Sequence, residues 1–161
     1  MLRLRVFMVL ALVICLAGVG GVYAQQGMKT KLTGQDYAEI EQLYGRYNQG
    51  SDFRDVDLWM SIFADGGVFV VGGNEFVGKP AIREWRAGSF ARREGPMTGR
   101  HIVSSVVVTP TADGATGVAY YFTIDVGDRP ASLGGGGILE DVFVKTSDGW
   151  RIKKRVLTNR R

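Results

Sequence analysis

The sequence predicts an α+β fold in which three N-terminal helices pack in a curved, mainly antiparallel β-sheet. Apolar residues recur at helical spacing up to about residue 85, and β-rich runs separated by turn residues follow from residue 101 onward. Helices followed by consecutive strands are typical of α+β domains. The chain of 161 residues, 45% of them hydrophobic, is long enough for one domain with its own core. A sheet that curls around helices leaves a cone-shaped interior for a small ligand.

The first 24 residues carry the pattern of a secretory signal peptide. Arg3 and Arg5 precede an apolar run at residues 6–19, and Ala24 is a small residue at the expected cleavage position. An uncleaved membrane anchor is the alternative, but the run of about 14 residues is short of the roughly 20 that span a bilayer. We therefore expect a signal peptide at residues 1–24, a polar leader at 25–32 and a folded domain at 33–161. The mature protein would be exported, periplasmic or extracellular, and would meet a membrane only through the signal peptide.

Cleavage would change the charge and remove the one cysteine. Loss of Arg3 and Arg5 takes the 20 basic residues to 18 against 16 acidic ones, so the formal charge falls from +4 to +2. That small excess does not imply a nucleic-acid partner. Loss of Cys15 leaves one histidine and no thiol, and no ligand spacing stands out, so we predict no metal site and no cofactor.

Three stretches predict the helices. Thr33 can cap the first helix, whose apolar residues follow the i, i+3, i+4, i+7 rule. This helix is expected to end at residues 50–51. The second begins near Asp55 and is expected to stop at residues 66–67. Pro80 suits the first turn of the third, which has Ile82 and Trp85 on its buried side.

The strands follow from β-rich runs bounded by turn residues. A small hairpin is expected at residues 68–78, around Gly72 and Gly73. The later runs are at residues 102–109, 117–125, 138–145 and 150–157. The glycine-rich stretch at residues 133–137 is interpreted as a flexible lip over a cavity or as a plain linker.

His101, the one histidine, opens the first of the four later strands. In a regular strand it shares a face with Val103, Ser105 and Val107. The opposite face is also largely apolar, which favours a sheet covered on both sides, by helices on one and by a second subunit on the other. We therefore expect a homodimer through the sheet.

Asp52 is the acidic residue best placed to act on His101. It ends the first amphipathic helix, so it can lie at the mouth of the space between helix and sheet. A carboxylate that orients a histidine makes it a general base, which suggests an Asp-His dyad. A structural histidine with a satisfied hydrogen bond is the alternative, and Asp55 and Asp57 are competing acids whose other role is to cap the second helix.

Four motifs together resemble the SnoaL-like branch of the NTF2-like superfamily, a cystatin-like cone shared with ketosteroid isomerase, scytalone dehydratase and hexachlorocyclohexane dehydrochlorinase. They are YNQGSDFRDVDLWMSIFADGGVFV (47–70), FVGKPAIREW (76–85), RHIVSSVVV (100–108) and GILEDVFVKTSDGWRIKKR (137–155). The resemblance covers about residues 33–157. Each motif alone is weak, but their order and separation imply the NTF2-like fold.

The resemblance implies roles for three residues. In the dehydratase-like members an aspartate that ends the first helix pairs with a histidine that opens the third strand and removes a proton from carbon; Asp52 and His101 match these positions. Arg155 matches an arginine of the dehydrochlorinase and is a candidate for stabilising a leaving anion. In a regular strand, however, Arg155 faces away from Trp150 and Ile152, so it needs a bulge to face inward and is otherwise a surface charge.

Further pocket candidates share aromatic character or charge. Aromatic residues that could line the cavity, with packing in the core as the alternative, are Tyr44, Tyr47, Trp59, Phe63, Trp85 and Tyr121. Glu140 is a second base or a partner of Arg155 if it faces inward, and a solvated edge charge if it faces outward.

Two functions are consistent with these features. The first is an exported lyase or isomerase that removes a proton from a small, mostly apolar organic molecule. The second is a non-catalytic domain of the same fold that binds a hydrophobic ligand or serves as a dimeric scaffold. The chain has no second histidine, which the scytalone enzyme has, and Tyr47 stands where the dehydrochlorinase has a lysine. The specific activities of those enzymes therefore do not transfer.

Overall fold

A computed structural model describes residues 31–127 and 130–160 as three helices and six strands. In chain order these elements are α1 (Gly34–Asp52), α2 (Val56–Met60), β1 (Phe63–Val71), β2 (Asn74–Val77), α3 (Gly78–Ala91), β3 (Gly99–Thr111), β4 (Gly114–Asp125), β5 (Ser132–Thr146) and β6 (Gly149–Arg160). The predicted signal peptide lies outside the described residues. No helix in the described part of the chain is long and apolar enough to cross a membrane.

The start of α1 is fixed by a capping box and by contacts to the far end of the sheet. Thr33 accepts a hydrogen bond from the Asp36 backbone N–H at 3.2 Å, and the Asp36 carboxylate accepts one from the Thr33 backbone N–H at 2.8 Å. Asp36 also accepts from Lys145 Nζ at 2.5 Å and Trp150 Nε1 at 2.8 Å. The hydrogen bond from Lys145, followed by those from Thr33 and Trp150, holds the pKa of Asp36 well below its usual range. The predicted cap is confirmed, and it ties α1 to β5 and β6.

The second helix is shorter than its periodicity predicted. Asp55 caps it by accepting a hydrogen bond from the Leu58 backbone N–H at 2.9 Å. The helix then ends at Met60, because Phe63 already begins β1 and pairs with Ile152 of β6. The expected stop at residues 66–67 was therefore wrong, since the apolar pattern continues from the helix into a buried strand. The hairpin of β1 and β2 is confirmed, with its turn at Gly72 and Gly73.

The six strands form one sheet in the order β2-β1-β6-β5-β4-β3. The β1 and β6 strands run parallel, and the other four neighbouring pairs are antiparallel. The helices cover one face of this curved sheet, and α1, α2 and α3 contribute Tyr44, Trp59 and Ile82 to a continuous apolar core. The α+β class and the mainly antiparallel sheet are confirmed.

A bulge in β3 changes which residues face the core. Ser104 pairs with Tyr120 and Val107 pairs with Val118, so two residues, Ser105 and Val106, lie opposite one. Ser105 has a φ of 53°, in the left-handed region. As a result Val106 packs against the core while Val107 is exposed on the outer face. The regular alternation predicted from His101 onward was therefore wrong beyond Ser104.

The glycine-rich stretch is part of β5, so the expected lip or linker was wrong. Gly136 and Gly137 pair with both β4 and β6, and the close approach of those strands explains these two glycines. Residues 134–135 lie at a shift in the register against β4. A Cβ on Gly137 would lie 1.9 Å from the carbonyl oxygen of Thr158, and one on Gly136 would lie 2.8 Å from that of Tyr121. A Cβ on Gly135 would meet nothing within 4 Å. Gly136 and Gly137 therefore let strand β5 pair on both sides without steric conflict.

Gly137→Ala is expected to destabilise the fold by about 1–3 kcal/mol, because the new methyl group must displace the backbone of β6. Gly135→Ala is the matched control and should change the free energy of unfolding by less than about 0.5 kcal/mol. Urea unfolding followed by circular dichroism compares the two variants. Equal stability of both variants would contradict the close pairing at Gly137.

Candidate active site

The end of α1 and the start of β3 bring Asp52 and His101 into contact. Asp52 Oδ1 lies 2.7 Å from the ring Nδ1 of His101 and also accepts a hydrogen bond from the His101 backbone N–H at 2.8 Å. The two side chains are 7% and 14% exposed, respectively. One carboxylate oxygen therefore fixes both the backbone and the ring of the histidine.

This contact sets which ring nitrogen of His101 carries the proton. An ionised carboxylate only accepts hydrogen bonds, so the neutral imidazole places its proton on Nδ1 and donates it to Asp52. Nε2 then carries a lone pair. It makes no hydrogen bond with any described residue, and His101 lines a cavity. The arrangement can take up a proton at Nε2.

The electrostatics of the site keep His101 neutral at pH 7. Burial is the main effect and lowers the pKa of His101, while the hydrogen bond and charge of Asp52 act in the opposite direction. The positive charges of Arg86 and Arg93 lower it further. An imidazole with a lowered pKa is in the form that a general base requires.

The cavity beside His101 has a volume of about 410 Å³ and lies between α1, α3 and the concave face of the sheet. Its wall is formed by Tyr47, Phe69, Val71, Trp85, Arg86, Ser89, Arg93, His101, Tyr121, Thr123, Gly135, Gly136, Leu157 and Asn159. None of these residues is acidic, and two are arginines. The wall is mostly apolar, as expected from the sequence, and it also carries positive charge.

Half of the six predicted aromatic residues lie at this cavity. Tyr47, Trp85 and Tyr121 line it. Tyr44, Trp59 and Phe63 are buried in the core away from its wall, as the alternative interpretation had it. Helical spacing identified which aromatic residues face inward but not how far along the interior they lie.

Tyr47 packs against His101 and lines the cavity. The two rings meet edge to face, with centroids 6.1 Å apart. Burial raises the pKa of Tyr47, so its hydroxyl stays protonated at neutral pH. That hydroxyl has no hydrogen-bond partner among the described residues, whereas the Tyr121 hydroxyl donates to Asn159 Oδ1. Tyr47 can therefore donate a hydrogen bond to a ligand oxygen.

Arg155 faces inward because of a bulge in β6, yet it does not reach the cavity wall. Ile152 pairs with Phe143 and Lys154 with Val142, which leaves Lys153 as the extra residue and turns Arg155 to the same face as Ile152. Its guanidinium is fully buried and makes two 2.7 Å hydrogen bonds to Asp141. Of the two alternatives left open by the sequence, the bulge is the one observed and the surface charge is excluded. The geometry does not support direct contact of Arg155 with a leaving anion.

The neighbouring acids of β5 have opposite orientations. Asp141 is buried and is the partner of Arg155, whereas Glu140 is exposed on the outer face of the sheet. Glu140 is thus an edge charge rather than a second base. Once the bulge in β6 was known to turn Arg155 inward, the alternation of β5 would have identified Asp141 as its partner.

The two other candidate acids do not contact His101. Asp55 caps α2, and Asp57 forms an exposed ion pair with Arg83 at 2.7 Å. Across the described ranges, no group of three or more His, Cys, Asp or Glu side chains is arranged to hold a metal ion.

Sequence reasoning missed the two arginines of the cavity wall and their neighbour Ser51. Arg86 is 5% exposed and lies one helical turn after Ile82, on the buried face of α3. Its Nη2 donates a 2.5 Å hydrogen bond to Ser51 Oγ. The i, i+4 spacing from Ile82 was a usable signal, but a charged residue at such a position is ordinarily assigned to the surface.

Solved structures with the same fold match most of the chain. A protein of unknown function from Mycobacterium tuberculosis is 26% identical, covers 78% of this chain and 72% of its own, and has a TM-score of 0.67. A protein with a cystatin-like fold from Nostoc punctiforme is 22% identical over 81% of this chain and 96% of its own, with a TM-score of 0.73. An NTF2-like protein with a cystatin-like fold from Novosphingobium aromaticivorans is 23% identical over 76% and 80%, with a TM-score of 0.66. No curated protein matches the chain.

The family model described as the SnoaL-like domain matches residues 33–156. This range contains every described helix and all but the last residues of the sheet. It agrees with the cystatin-like and NTF2-like structures that the chain resembles. The chain belongs to the SnoaL-like family, and its fold is the NTF2-like cone.

Proposed function

We propose that this protein is an enzyme that removes a proton from a carbon atom of a small organic molecule, as a lyase or isomerase does. His101 is the general base and Asp52 is the residue that orients it. The observation that carries the proposal is the 2.7 Å contact between Asp52 Oδ1 and His101 Nδ1 beside an open cavity. In the reaction, the C–H bond breaks as Nε2 takes the proton, and its electron pair forms a double bond to the neighbouring carbon. That carbon in turn gives up a bonding pair, either to its carbonyl oxygen, which becomes an enolate oxygen, or to a leaving group that departs as an anion.

The cavity favours turnover over a purely structural domain. A scaffold would fill its interior with aromatic side chains, but a volume of about 410 Å³ stays open next to the imidazole. Tyr47 supplies a proton donor on the same wall, where it can bind an oxygen on which negative charge develops. Arg155 acts through Tyr47, because its guanidinium carbon lies 4.6 Å from the centre of that ring. It is a positioning residue.

The single histidine allows its titration to be measured directly. In tag-free protein, the imidazole C–H proton resonance should titrate with a pKa below the ordinary value of about 6.5. Asp52→Asn should lower that pKa further, because the negative charge that favours the imidazolium is removed. Asp57→Asn, on the surface, should leave it unchanged. A pKa that rises in Asp52→Asn would contradict the described electrostatics.

Proton abstraction can be tested without knowing the natural substrate. Cyclohexanone, 2-tetralone and 4-oxopentanoate are incubated with the protein in D₂O, and deuterium uptake at carbon is followed by mass spectrometry. His101→Gln should slow protein-dependent exchange by about 10²- to 10⁴-fold, the contribution of a general base. Because the base must be neutral, exchange should fall as the pH drops below the pKa of His101.

The matched control is Asp57→Asn, whose carboxylate is exposed and distant from the dyad. It should exchange at the rate of the unchanged protein. Exchange that persists in His101→Gln, or no protein-dependent exchange with any of the three ketones, contradicts the proposal. Retained ligand binding by a protein without exchange activity would favour the alternative of a binding domain.

We also propose that the protein forms a homodimer through the outer face of its sheet. Val107, Val118 and Tyr120 lie on this face on the adjacent strands β3 and β4, and Val107 and Tyr120 are 64% and 56% exposed. Val142 of the adjacent β5 extends the apolar patch. Contiguous exposed apolar surface of this kind is typical of protein interfaces.

Export stays a prediction of the N-terminal sequence.

The dimer is tested by light scattering at micromolar concentration. The mature protein should have the mass of two chains, and Tyr120→Lys should reduce it to one, because a charge is placed within the apolar face. Val77→Lys, at an exposed valine of the edge strand β2, is the control and should stay dimeric. A monomeric unchanged protein would remove the proposed interface.

A further inference from the structure

Arg86 is a buried cation without a counter-ion among the described residues. Its guanidinium carbon lies 4.7 Å from the ring centre of Trp59 and 4.1 Å from that of Phe90. Its one hydrogen bond goes to Ser51, and its Nε is buried with no partner. No described carboxylate lies within 4 Å of its nitrogens, the distance that defines an ion pair. The charge is held by aromatic faces and one hydroxyl.

The contrast with the other buried arginine is informative. Arg155 is paired with Asp141 through two hydrogen bonds, as a charge removed from water requires. Arg86 lacks such a pairing, although it is almost as deeply buried. Because Arg86 lines the cavity, a bound molecule can supply the missing negative charge.

The balance of charge at the site points the same way. Arg86 and Arg93 are both in the cavity wall, which contains no acidic residue among those described. Asp52 is the acid whose charge acts on both Arg86 and His101, and its Oδ1 is already bonded to His101. The positive charges of Arg86, which is buried, and Arg93, which is exposed, both act on the neutral His101 against the one negative charge of Asp52. The site has room for one further negative charge.

We propose that the cavity takes a small organic carboxylate, with its carboxylate group bound by Arg86 and Arg93 and its apolar part against Phe69 and Leu157. Guanidinium groups recognise carboxylates through paired, charge-assisted hydrogen bonds. The rings of Trp59 and Phe90 fix the plane of the Arg86 guanidinium, so this group is ordered before the ligand binds. This inference names the substrate class of the site and rests on the proposed function for the role of His101.

The test measures binding by calorimetry with benzoate and with its neutral analogue benzamide. Benzoate should bind at least about 10-fold more tightly than benzamide. Arg86→Met should weaken benzoate binding by about 10- to 100-fold, the effect of losing a hydrogen bond to a charged group, and leave benzamide binding unchanged. Arg83→Met is the matched control on the exposed face of α3, where Arg83 pairs with Asp57, and should bind benzoate normally.

Thermal unfolding separates recognition from a structural role. Replacing a buried, unpaired cation by an apolar side chain should leave the melting temperature of Arg86→Met equal or higher. A lowered melting temperature with unchanged benzoate affinity would make Arg86 structural and overturn the inference. If Arg86→Met does not fold, two other variants replace it. Arg86→Lys keeps the charge but loses the planar donors, and it and Arg93→Met should each weaken benzoate binding. Normal benzoate binding by both variants overturns the inference. No saturable binding of benzoate or cyclohexanecarboxylate to the unchanged protein also overturns it.

The anion site and the proposed function can be disproved independently of each other. His101→Gln should keep its affinity for benzoate while losing deuterium exchange, so a failed exchange assay leaves the anion site standing. Exchange without any preference for carboxylates would instead remove only the anion site. Bound benzoate should raise the pKa of His101 in the single-histidine spectrum, because a nearby anion favours the imidazolium. If Arg86 were purely structural, benzoate would not bind beside His101, and the pKa of His101 would not change.

Discussion

The candidate site depends on one carboxylate oxygen. Asp52 Oδ1 binds the backbone N–H and the ring nitrogen of His101 together, and so joins the last residue of α1 to the start of β3. The backbone contact fixes the position of β3 against the helix, and the ring contact fixes the tautomer. Removing this oxygen would loosen both at once. The same interaction therefore serves the packing of helix on sheet and the chemistry of the imidazole.

Much of the fold could be predicted from local signals in the sequence. The Thr33 cap and the helical spacing of α1 placed Asp52 at the end of a helix, and the apolar run after His101 placed that residue at the start of a strand. Neither signal requires knowledge of a distant residue. The pairing of Asp52 with His101, 49 residues apart, followed from family resemblance together with the end-of-helix position.

Local signals could not show which side chains face the core in the part of each strand that follows a bulge. One extra residue at Ser105 in β3 and another at Lys153 in β6 reverse the side-chain alternation. These reversals expose Val107 and bury Arg155, which regular alternation would have placed the other way. A bulge depends on how two strands align, so the pattern of one strand alone does not reveal it.

The distribution of buried charge distinguishes structure from function within one core. Arg155 and Asp141 neutralise each other's charge within the core, and the Arg155 guanidinium packs against the ring of Tyr47. Arg86 is balanced only by more distant charge, and its field also lowers the pKa of the neighbouring base. A protein that needed Arg86 only for stability would be better served by an apolar residue among those aromatic rings. Its presence at the wall beside a neutral imidazole is best explained by a ligand that completes the charge balance.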